Sequence, residues 1–211
     1  MRGKRARPRT QSERAHNIGR RAPRALPHGA LWQARPVDDD LLRALASLRA
    51  TRRFTSRPVD PADIDRIMEV ARWTGSARNR QPWRLITLET PSDLTALSRL
   101  GAYALHVRDC PLAVLIAIDR ERGGADAEFD AGRQAQKVML AAQALGLGSC
   151  PVTVFPAANF EAATALAGLS PPWAVRTAIA LGHPDPSPGP TGRPAIPLGR
   201  MSPEQLRSRS G

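Results

Sequence analysis

Apolar residues recur along this chain with two different periods, and each period predicts a type of secondary structure. A spacing of three to four residues, as at Leu41, Leu45 and Leu48, is typical of a helix with one apolar face. Alternation, or a short continuous run of Val, Ile and Leu, is typical of a strand. The predicted helices cover residues 38–48, 61–71, 91–100, 126–145 and 160–167, and the predicted strands cover residues 83–89, 111–119, 149–155 and 175–181.

Residues that favour helix ends support these boundaries. Asp60 and Pro61 suit the N-cap and first position of the second helix, and Gly146 suits the end of the longest one. We expect a loop at residues 75–82 and an extended, proline-rich arm at residues 183–199. Because two helices come first and strands and helices are mixed afterwards, the order predicts an α+β or mixed layered fold and not a regular βαβ series.

The first 37 residues differ in composition from the rest. They contain ten basic residues and one acidic residue, and they contribute +9 of the net charge of +12. No helical or strand period persists there, so we expect a disordered basic tail. The alternative is an arm that binds nucleic acid or an anionic membrane through its arginines. Residues 38–200 are expected to form one domain, and residues 201–211 a C-terminal tail.

Several classes of protein are disfavoured by what the chain lacks. No apolar run approaches the length of about 20 residues that a spanning helix needs, and no apolar segment follows the basic N-terminus as in a secretory signal. Cys110 and Cys150 are too few for a disulfide framework or a zinc cluster, so we expect two buried free thiols in a reducing, cytoplasmic protein. Neither a metal-ligand motif nor a phosphate-binding glycine motif is present.

Two polar segments are candidates for a binding site. In the first, residues 49–54, Arg49 and Arg52 lie one turn apart at the end of a helix. Two guanidinium groups at this spacing can bind one phosphate. A solvated basic face is an equally good interpretation of this spacing in an arginine-rich chain.

The second candidate is the loop at residues 74–83, in which Asn79 and Gln81 precede Pro82 and Trp83. Side chains two residues apart in an extended segment point the same way. The two carboxamides would then offer donors and acceptors to a planar heterocycle or a sugar hydroxyl. Alternatively, the segment is a turn in which Asn79 and Gln81 cap the preceding helix and Trp83 packs in the core.

Taken together, these segments resemble the nitroreductase family of FMN-dependent oxidoreductases. That family has an R-x-S-x-R-x-F-like box followed by a P-S-x-x-N-x-Q-P-W loop. The matching residues here are Arg49, Arg52, Phe54, Ser76, Asn79, Gln81, Pro82 and Trp83. Residues 130–136, 146–153 and 181–184, and then Arg193, resemble later segments of the family. The resemblance covers residues 41–198, which is nearly all of the chain outside the basic tail.

The resemblance implies a fold, an assembly and a cofactor. The fold would be the α+β sandwich of that family, a mixed β-sheet flanked by helices, in an intimate homodimer with FMN at the interface. The cofactor-binding residues would be Arg49, Ala50, Arg52, Asn79, Gln81, Pro151, Val152, Thr153 and Arg193. Of these, the arginines would hold the phosphate, and Ala50 stands where the family usually has Ser. Asn79 and Gln81 would face the ribityl chain or the ring, and an amide near Thr153 would donate to flavin N5.

The implied activity is transfer of hydride from NAD(P)H, through flavin N5, to a nitroaromatic, quinone or similar small-molecule acceptor. Because the cofactor carries this chemistry, no side chain is expected to be an obligatory acid or base. Residues 100–108, with the partner chain, are expected to form the acceptor pocket. One alternative is a specialised member of the family with another flavin-like cofactor or chemistry. A nucleic-acid- or membrane-binding protein is a further alternative, which the near-neutral body of the chain disfavours.

Overall fold

The computed structural model describes residues 38–187 and 199–208. The predicted basic tail and the predicted cofactor residue Arg193 lie outside the described residues. Backbone packing divides the chain into two units, Met1–Asp39 and Asp40–Gly211. Apart from the first residue of one helix, all the described helices and strands belong to the second unit. The assignment of residues 1–37 as a disordered tail therefore stays a prediction.

Seven α-helices and four strands make up the described part of the chain. The helices are α1 (Asp39–Ser47), α2 (Pro61–Ala71), α3 (Pro91–Ser98), α4 (Arg120–Gly123), α5 (Ala127–Ala144), α6 (Phe160–Leu166) and α7 (Pro203–Leu206). The strands are β1 (Trp83–Leu88), β2 (Leu112–Asp119), β3 (Gly148–Thr153) and β4 (Trp173–Gly182). Every predicted helix and strand is present, with ends within two residues of the predicted ones. The pattern did not predict α4 and α7, because four residues are too few to show a helical period.

The four strands form one sheet in the order β1-β2-β4-β3, and each neighbouring pair is antiparallel. Strand β2 lies inside the sheet, and its residues from Leu112 to Ile118 are all buried, as a continuous apolar run predicts. The α+β prediction is confirmed. Among the described residues, parallel pairing is limited to a bridge between Ala50 and Ser149.

Helices cover both faces of the sheet. Val114 and Ile116 of β2 pack in the hydrophobic layer that includes α2 and α5, whereas Ala113 and Leu115 pack in the layer that includes α3 and α6. This division follows from the alternation of side chains along a strand. Since both faces are covered, the loops and the ends of the strands are left as positions for a binding site.

The predicted helix ends are confirmed for α2 and α5. The side chain of Asp60 accepts a hydrogen bond from the amide of Ala62 at 2.8 Å, which makes it the N-cap of α2. After α5, Gly146 adopts a left-handed φ of +73°, and the amide of Leu147 donates to the Ala142 carbonyl at 2.9 Å. A bond from the amide after a left-handed glycine back to this carbonyl is the pattern of a Schellman helix end.

The two cysteines are buried free thiols, as predicted. Both belong to the hydrophobic layer that includes α3 and α6. Burial raises the pKa of the Cys110 thiol to about 11. The thiol is therefore protonated at neutral pH and behaves as a small apolar side chain.

Helix α1 forms where predicted, but the chain does not bury its apolar stripe. Leu41, Leu42 and Leu45 are between 45% and 56% exposed. The helix is joined to α5 by Gln143, whose Nε2 donates to the Ala44 carbonyl at 2.7 Å. The three exposed leucines, called the α1 leucine stripe below, form an apolar surface of the kind found at protein interfaces.

The C-terminal part of the chain is described only in pieces. The predicted extended arm is seen at residues 183–187 and at residue 199. Helix α7, which lies within the predicted C-terminal tail, begins with a capping box formed by Ser202 and Gln205.

In the described ranges, no helix combines the length and the apolar character needed to cross a membrane.

Candidate functional site

Residues 49–54 are hydrogen-bonded to the ends of two strands. Ala50 forms a parallel bridge with Ser149 of β3, and the amide of Thr51 donates to the Ser149 carbonyl at 2.8 Å. Further along, Phe54 forms an antiparallel bridge with Pro184, just after β4. The position of Arg52 is therefore set by the backbone on both sides of it.

A cavity of about 500 Å³ lies beside this bridge, and we call it the Arg52 cavity. Residues 150–153 of β3 and Phe155 form part of its lining, together with Arg52 and the loop residues Ala102, Tyr103 and His106. Arg52, Pro151, Val152 and Thr153, all predicted from the family resemblance, are thus brought together. The cavity has the size typical of small-molecule sites and combines apolar walls with a few polar groups.

Arg49 does not share this cavity. Its guanidinium Nη1 donates to the carbonyls of Ala46 and Leu48, both at 2.8 Å, at the C-terminal end of α1. Arg49 lines a separate cleft of about 290 Å³ with Gly148 and Ser149. The structure therefore does not bring Arg49 and Arg52 onto one phosphate position, although they are close in sequence. Ala50 lies between them and pairs through its backbone.

Asn79 and Gln81 meet in a third cleft, of about 350 Å³. Gln81 Nε2 donates to Asn79 Oδ1 at 3.0 Å, and the Gln81 amide donates to Ser76 Oγ at 2.8 Å. The expectation that an extended backbone aligns the two carboxamides is wrong. Asn79 and Gln81 have left-handed φ angles of +53° and +47°, and the residues Ala77–Asn79 form a short 3-10 helix.

The electrostatics of the Arg52 cavity keep two of its side chains neutral. Burial lowers the pKa of His106, and the charge of Arg52 lowers it further. A hydrogen bond to the Tyr103 backbone and the charge of Asp109 act in the opposite direction. Burial raises the pKa of the Cys150 thiol. Near neutral pH, Arg52 is therefore the charged group that lines this cavity.

The sequence did not single out the aromatic and histidine residues of the cavity. Tyr103 and Phe155 are 92% and 62% exposed, so their rings are available for stacking. His106 lies in the 3-10 helix Leu105–Asp109. Tyr103 and His106 fall within residues 100–108, the segment from which an acceptor pocket was expected. An irregular segment shows no period, so the spacing of its residues could not indicate which of them face a cavity.

Comparison with known proteins agrees with this architecture. The sequence model of the nitroreductase family matches residues 45–107 and 94–183, which is more than half of the chain. A protein of Methanothermobacter thermautotrophicus named as an NADH dehydrogenase/NAD(P)H nitroreductase is 29% identical over 119 residues, or 56% of this chain. The match spans 62% of the length of that relative.

Solved structures show the same fold. A structure of an NADH dehydrogenase/NAD(P)H nitroreductase from Parabacteroides distasonis has a TM-score of 0.67 at 20% identity, covering 78% of this chain and 100% of the other. A nitroreductase from Desulfovibrio desulfuricans, solved in complex with FMN, has a TM-score of 0.62 at 27% identity, covering 79% of this chain and 100% of the other. On the family match and this likeness of fold, the chain belongs to the nitroreductase family.

Proposed function

We propose that this protein is an FMN-dependent oxidoreductase that oxidises NAD(P)H and reduces a small-molecule acceptor such as a nitroaromatic or a quinone. Membership of the nitroreductase family supports the reaction class, and the relative from Desulfovibrio desulfuricans, which was solved with FMN, supports the cofactor. The observation that carries the proposal is the Arg52 cavity. Its lining combines the guanidinium of Arg52, residues 150–153 of β3 and the exposed aromatic rings of Tyr103 and Phe155.

The residues of the Arg52 cavity fit a flavin in chemistry and in size. A planar aromatic ring system needs an apolar wall and stacking partners, which Val152, Tyr103 and Phe155 supply. An electron-accepting ring also needs positive charge nearby, which Arg52 supplies. From the family resemblance we propose that the Thr153 amide donates to the cofactor ring. The family resemblance predicts Arg49, Arg52 and Arg193 as phosphate ligands. Because the Arg49 guanidinium bonds to carbonyls at the end of α1, we propose that Arg49 contributes least to FMN binding.

When bound, FMN would supply the redox chemistry by accepting a hydride and giving up electrons to the acceptor. The protein would bind and orient the ring, keep water away from one of its faces and place positive charge beside it. We propose that no side chain is an obligatory proton donor or acceptor, because the cofactor would carry the chemistry.

We further propose that the active form is a homodimer in which both chains contact each FMN. Two observations support it. Residues predicted to bind one cofactor lie in three separate clefts of a single chain, which fits a cofactor held between two chains. The α1 leucine stripe is also left exposed by a single chain.

The test is to purify the protein and look for bound flavin by its absorbance at about 450 nm. FMN added to the cofactor-free protein should raise its melting temperature, because a ligand that binds the folded state stabilises it. The reconstituted protein should then oxidise NADH or NADPH faster when a nitroaromatic or quinone is present. Absence of bound flavin, together with no thermal shift at saturating FMN, would contradict the proposal.

A further inference from the structure

Helix α5 contacts the loop that carries Asn79 and Gln81. The guanidinium Nη1 of Arg133, on α5, donates to the Gly75 carbonyl at 2.8 Å. The approach is close, because a Cβ atom placed on Gly75 would stand 3.0 Å from Nη2 of the same guanidinium. Arg133 therefore directly contacts the first residue of residues 75–81, which we call the carboxamide loop.

Arg133 is itself held by a buried carboxylate. Asp130 is 2% exposed and lies one turn earlier on α5. Its Oδ1 accepts a hydrogen bond from Nη1 of Arg133 at 3.4 Å. Because a carboxylate is stable in the interior of a protein only with a charged or hydrogen-bonding partner, this pair keeps the guanidinium next to Gly75.

Ser76 connects the start of the carboxamide loop to its end. The Ser76 carbonyl accepts from the amide of Asn79 at 3.0 Å, and its Oγ accepts from the amide of Gln81 at 2.8 Å. The carbonyl that Arg133 holds belongs to the peptide bond that leads into Ser76. A continuous series of hydrogen bonds therefore joins α5 to Asn79 and Gln81.

The backbone of the carboxamide loop is strained and needs this support. Arg78, Asn79 and Gln81 have left-handed φ angles of +52°, +53° and +47°. A residue with a Cβ atom adopts this conformation at a cost of about 1–2 kcal/mol. Several such residues in one short loop persist only where surrounding contacts hold them. Without the contact from α5, we expect the loop to relax and its carboxamides to turn.

The two carboxamides leave a donor and an acceptor for a ligand. Gln81 Nε2 donates to Asn79 Oδ1 at 3.0 Å. Among the described residues, no hydrogen bond is made by Asn79 Nδ2 or Gln81 Oε1, and both residues are exposed. A ligand that carries a donor beside an acceptor satisfies both groups at once. A ribityl hydroxyl and the imide edge of a flavin ring both have this character.

We propose that Arg133 is a positioning residue, which fixes the carboxamides of Asn79 and Gln81 in the orientation that binds FMN. The inference rests on the proposed function, because it requires these two residues to contact the cofactor. Arg133 acts through the loop and does not touch FMN. Its side chain is 45% exposed, so its loss should weaken FMN binding while the free energy of unfolding changes little.

The experiment compares Arg133→Met, which removes the donors, with Arg133→Lys, which keeps a charged donor. Lys137→Met is the matched control. Lys137 also lies on α5, and its Nζ donates to the Trp73 carbonyl at 2.6 Å, outside the carboxamide loop. Thr74 lies between that carbonyl and the loop, and its amide and hydroxyl both donate to the Ala71 carbonyl. Loss of the Lys137 bond should therefore leave the loop in place.

Both readouts use the cofactor-free protein. Fluorescence titration gives the dissociation constant of FMN, and hydrogen exchange followed by NMR gives the protection of the Asn79 and Gln81 amides. Arg133→Met should weaken FMN binding by about three- to tenfold, the net worth of one hydrogen bond, and should speed the exchange of both amides. Arg133→Lys should recover most of both losses, and Lys137→Met should match the wild type.

A combined variant tests whether Arg133 acts through the carboxamides. Asn79→Ala together with Gln81→Ala should weaken FMN binding, and adding Arg133→Met should weaken it no further, because residues that act as one unit are not additive. Losses that add would mean that Arg133 contacts the cofactor itself, which would overturn the positioning role.

Two further outcomes would overturn the inference while leaving the proposed function intact. The first is an Arg133→Met variant that binds FMN as tightly as the wild type. The second is an equal loss of FMN affinity in Arg133→Met and Lys137→Met, since this would reflect the charge of α5 and not the contact with Gly75. Failure of the wild type itself to bind FMN would instead contradict the proposed function.

Discussion

Gly148 lies directly against Thr51. A Cβ atom placed on Gly148 would stand 2.6 Å from Cγ2 and 2.7 Å from Cβ of Thr51, closer than packed carbon atoms approach. The same residues flank the bridge that joins Ala50 to Ser149. The absence of a side chain at position 148 therefore allows the segment that carries Arg52 to lie against the start of β3.

The substitution Gly148→Ala tests this relationship. The added methyl group should push Thr51 away, with an overpacking cost of about 1–3 kcal/mol in the free energy of unfolding. Because Arg52 is next in the chain, FMN affinity should fall as well. Thermal unfolding and an FMN titration measure the two effects.

Gly132→Ala is the matched control for that substitution. Gly132 lies in α5, and no atom lies within 4 Å of the Cβ that the change would add. Alanine should stabilise the helix by about 0.5–1 kcal/mol. A Gly148→Ala variant as stable as the Gly132→Ala variant would show that the contact with Thr51 does not constrain the segment.

Arg52→Ala and Arg49→Ala should have unequal effects on FMN binding. Arg52 lines the large cavity, so its loss should weaken FMN binding at least about tenfold, as expected for a charged hydrogen-bond donor. Arg49 bonds to carbonyls at the end of α1, so Arg49→Ala should change FMN affinity less than about threefold. Titrations of both variants decide the matter. Equal losses would favour the joint phosphate site implied by the family resemblance.

The stability of the protein should decrease on mild acidification through His106. Burial and Arg52 lower the pKa of this residue in the folded chain, so the unfolded chain binds more protons below its ordinary pKa of about 6.5. The contribution of His106 to the free energy of unfolding is therefore complete above about pH 6.5. It is lost as the pH falls through the lowered pKa of His106 in the folded chain. Urea unfolding of the wild type and of His106→Phe at about pH 5.5 and 7.5 measures it.

The difference between the wild type and His106→Phe in the stability lost on acidification should come from His106. The carboxyl groups of Glu69, Asp185 and Glu204 have lowered pKa values and stay ionised across this range. The wild type should therefore lose more stability between the two pH values than His106→Phe does. Identical losses in the two proteins would mean that the folded chain does not favour the neutral imidazole.

Thr164 should be required for a stable junction between α6 and β4. Its hydroxyl donates to the Phe160 carbonyl at 2.7 Å and accepts from the buried amide of Val175 at 3.0 Å. Thr164→Val keeps the shape but leaves that amide unpaired, which should cost about 1–3 kcal/mol. Thr164→Ser keeps the hydroxyl and should lose much less. Chemical denaturation of the two variants measures the difference, and equal losses would contradict this account.

The α1 leucine stripe should contribute to self-association. The double substitution Leu41→Gln and Leu45→Gln removes apolar surface that the single chain leaves exposed. The dissociation constant of the proposed dimer should therefore rise, so that monomer appears at protein concentrations at which the wild type is still dimeric. Light scattering after size exclusion measures the mass. Leu206→Gln, at a 76% exposed leucine of α7, is the control. A variant that stays dimeric to the same concentration as the wild type would place the interface elsewhere.

Local chemistry was enough to predict five of the seven described α-helices and all four described strands. The continuous apolar run of β2 predicted a strand, and Asp60 with Pro61 predicted the start of α2. These features depend on residues close together in the sequence. The family resemblance pointed to Arg52 and residues 151–153, which the structure brings to one cavity.

The convergence of distant segments was decided by tertiary structure. Arg49 and Arg52 are three residues apart but face different clefts, because the segment leaves the helix and pairs with β3. Asn79 and Gln81 meet through left-handed backbone and not through an extended one. His106 gained its place in the cavity because an irregular loop packs beside Cys150 and Val152. Periodicity along a chain reports which face of an element is apolar, whereas a binding cavity depends on contacts between elements that no local spacing encodes.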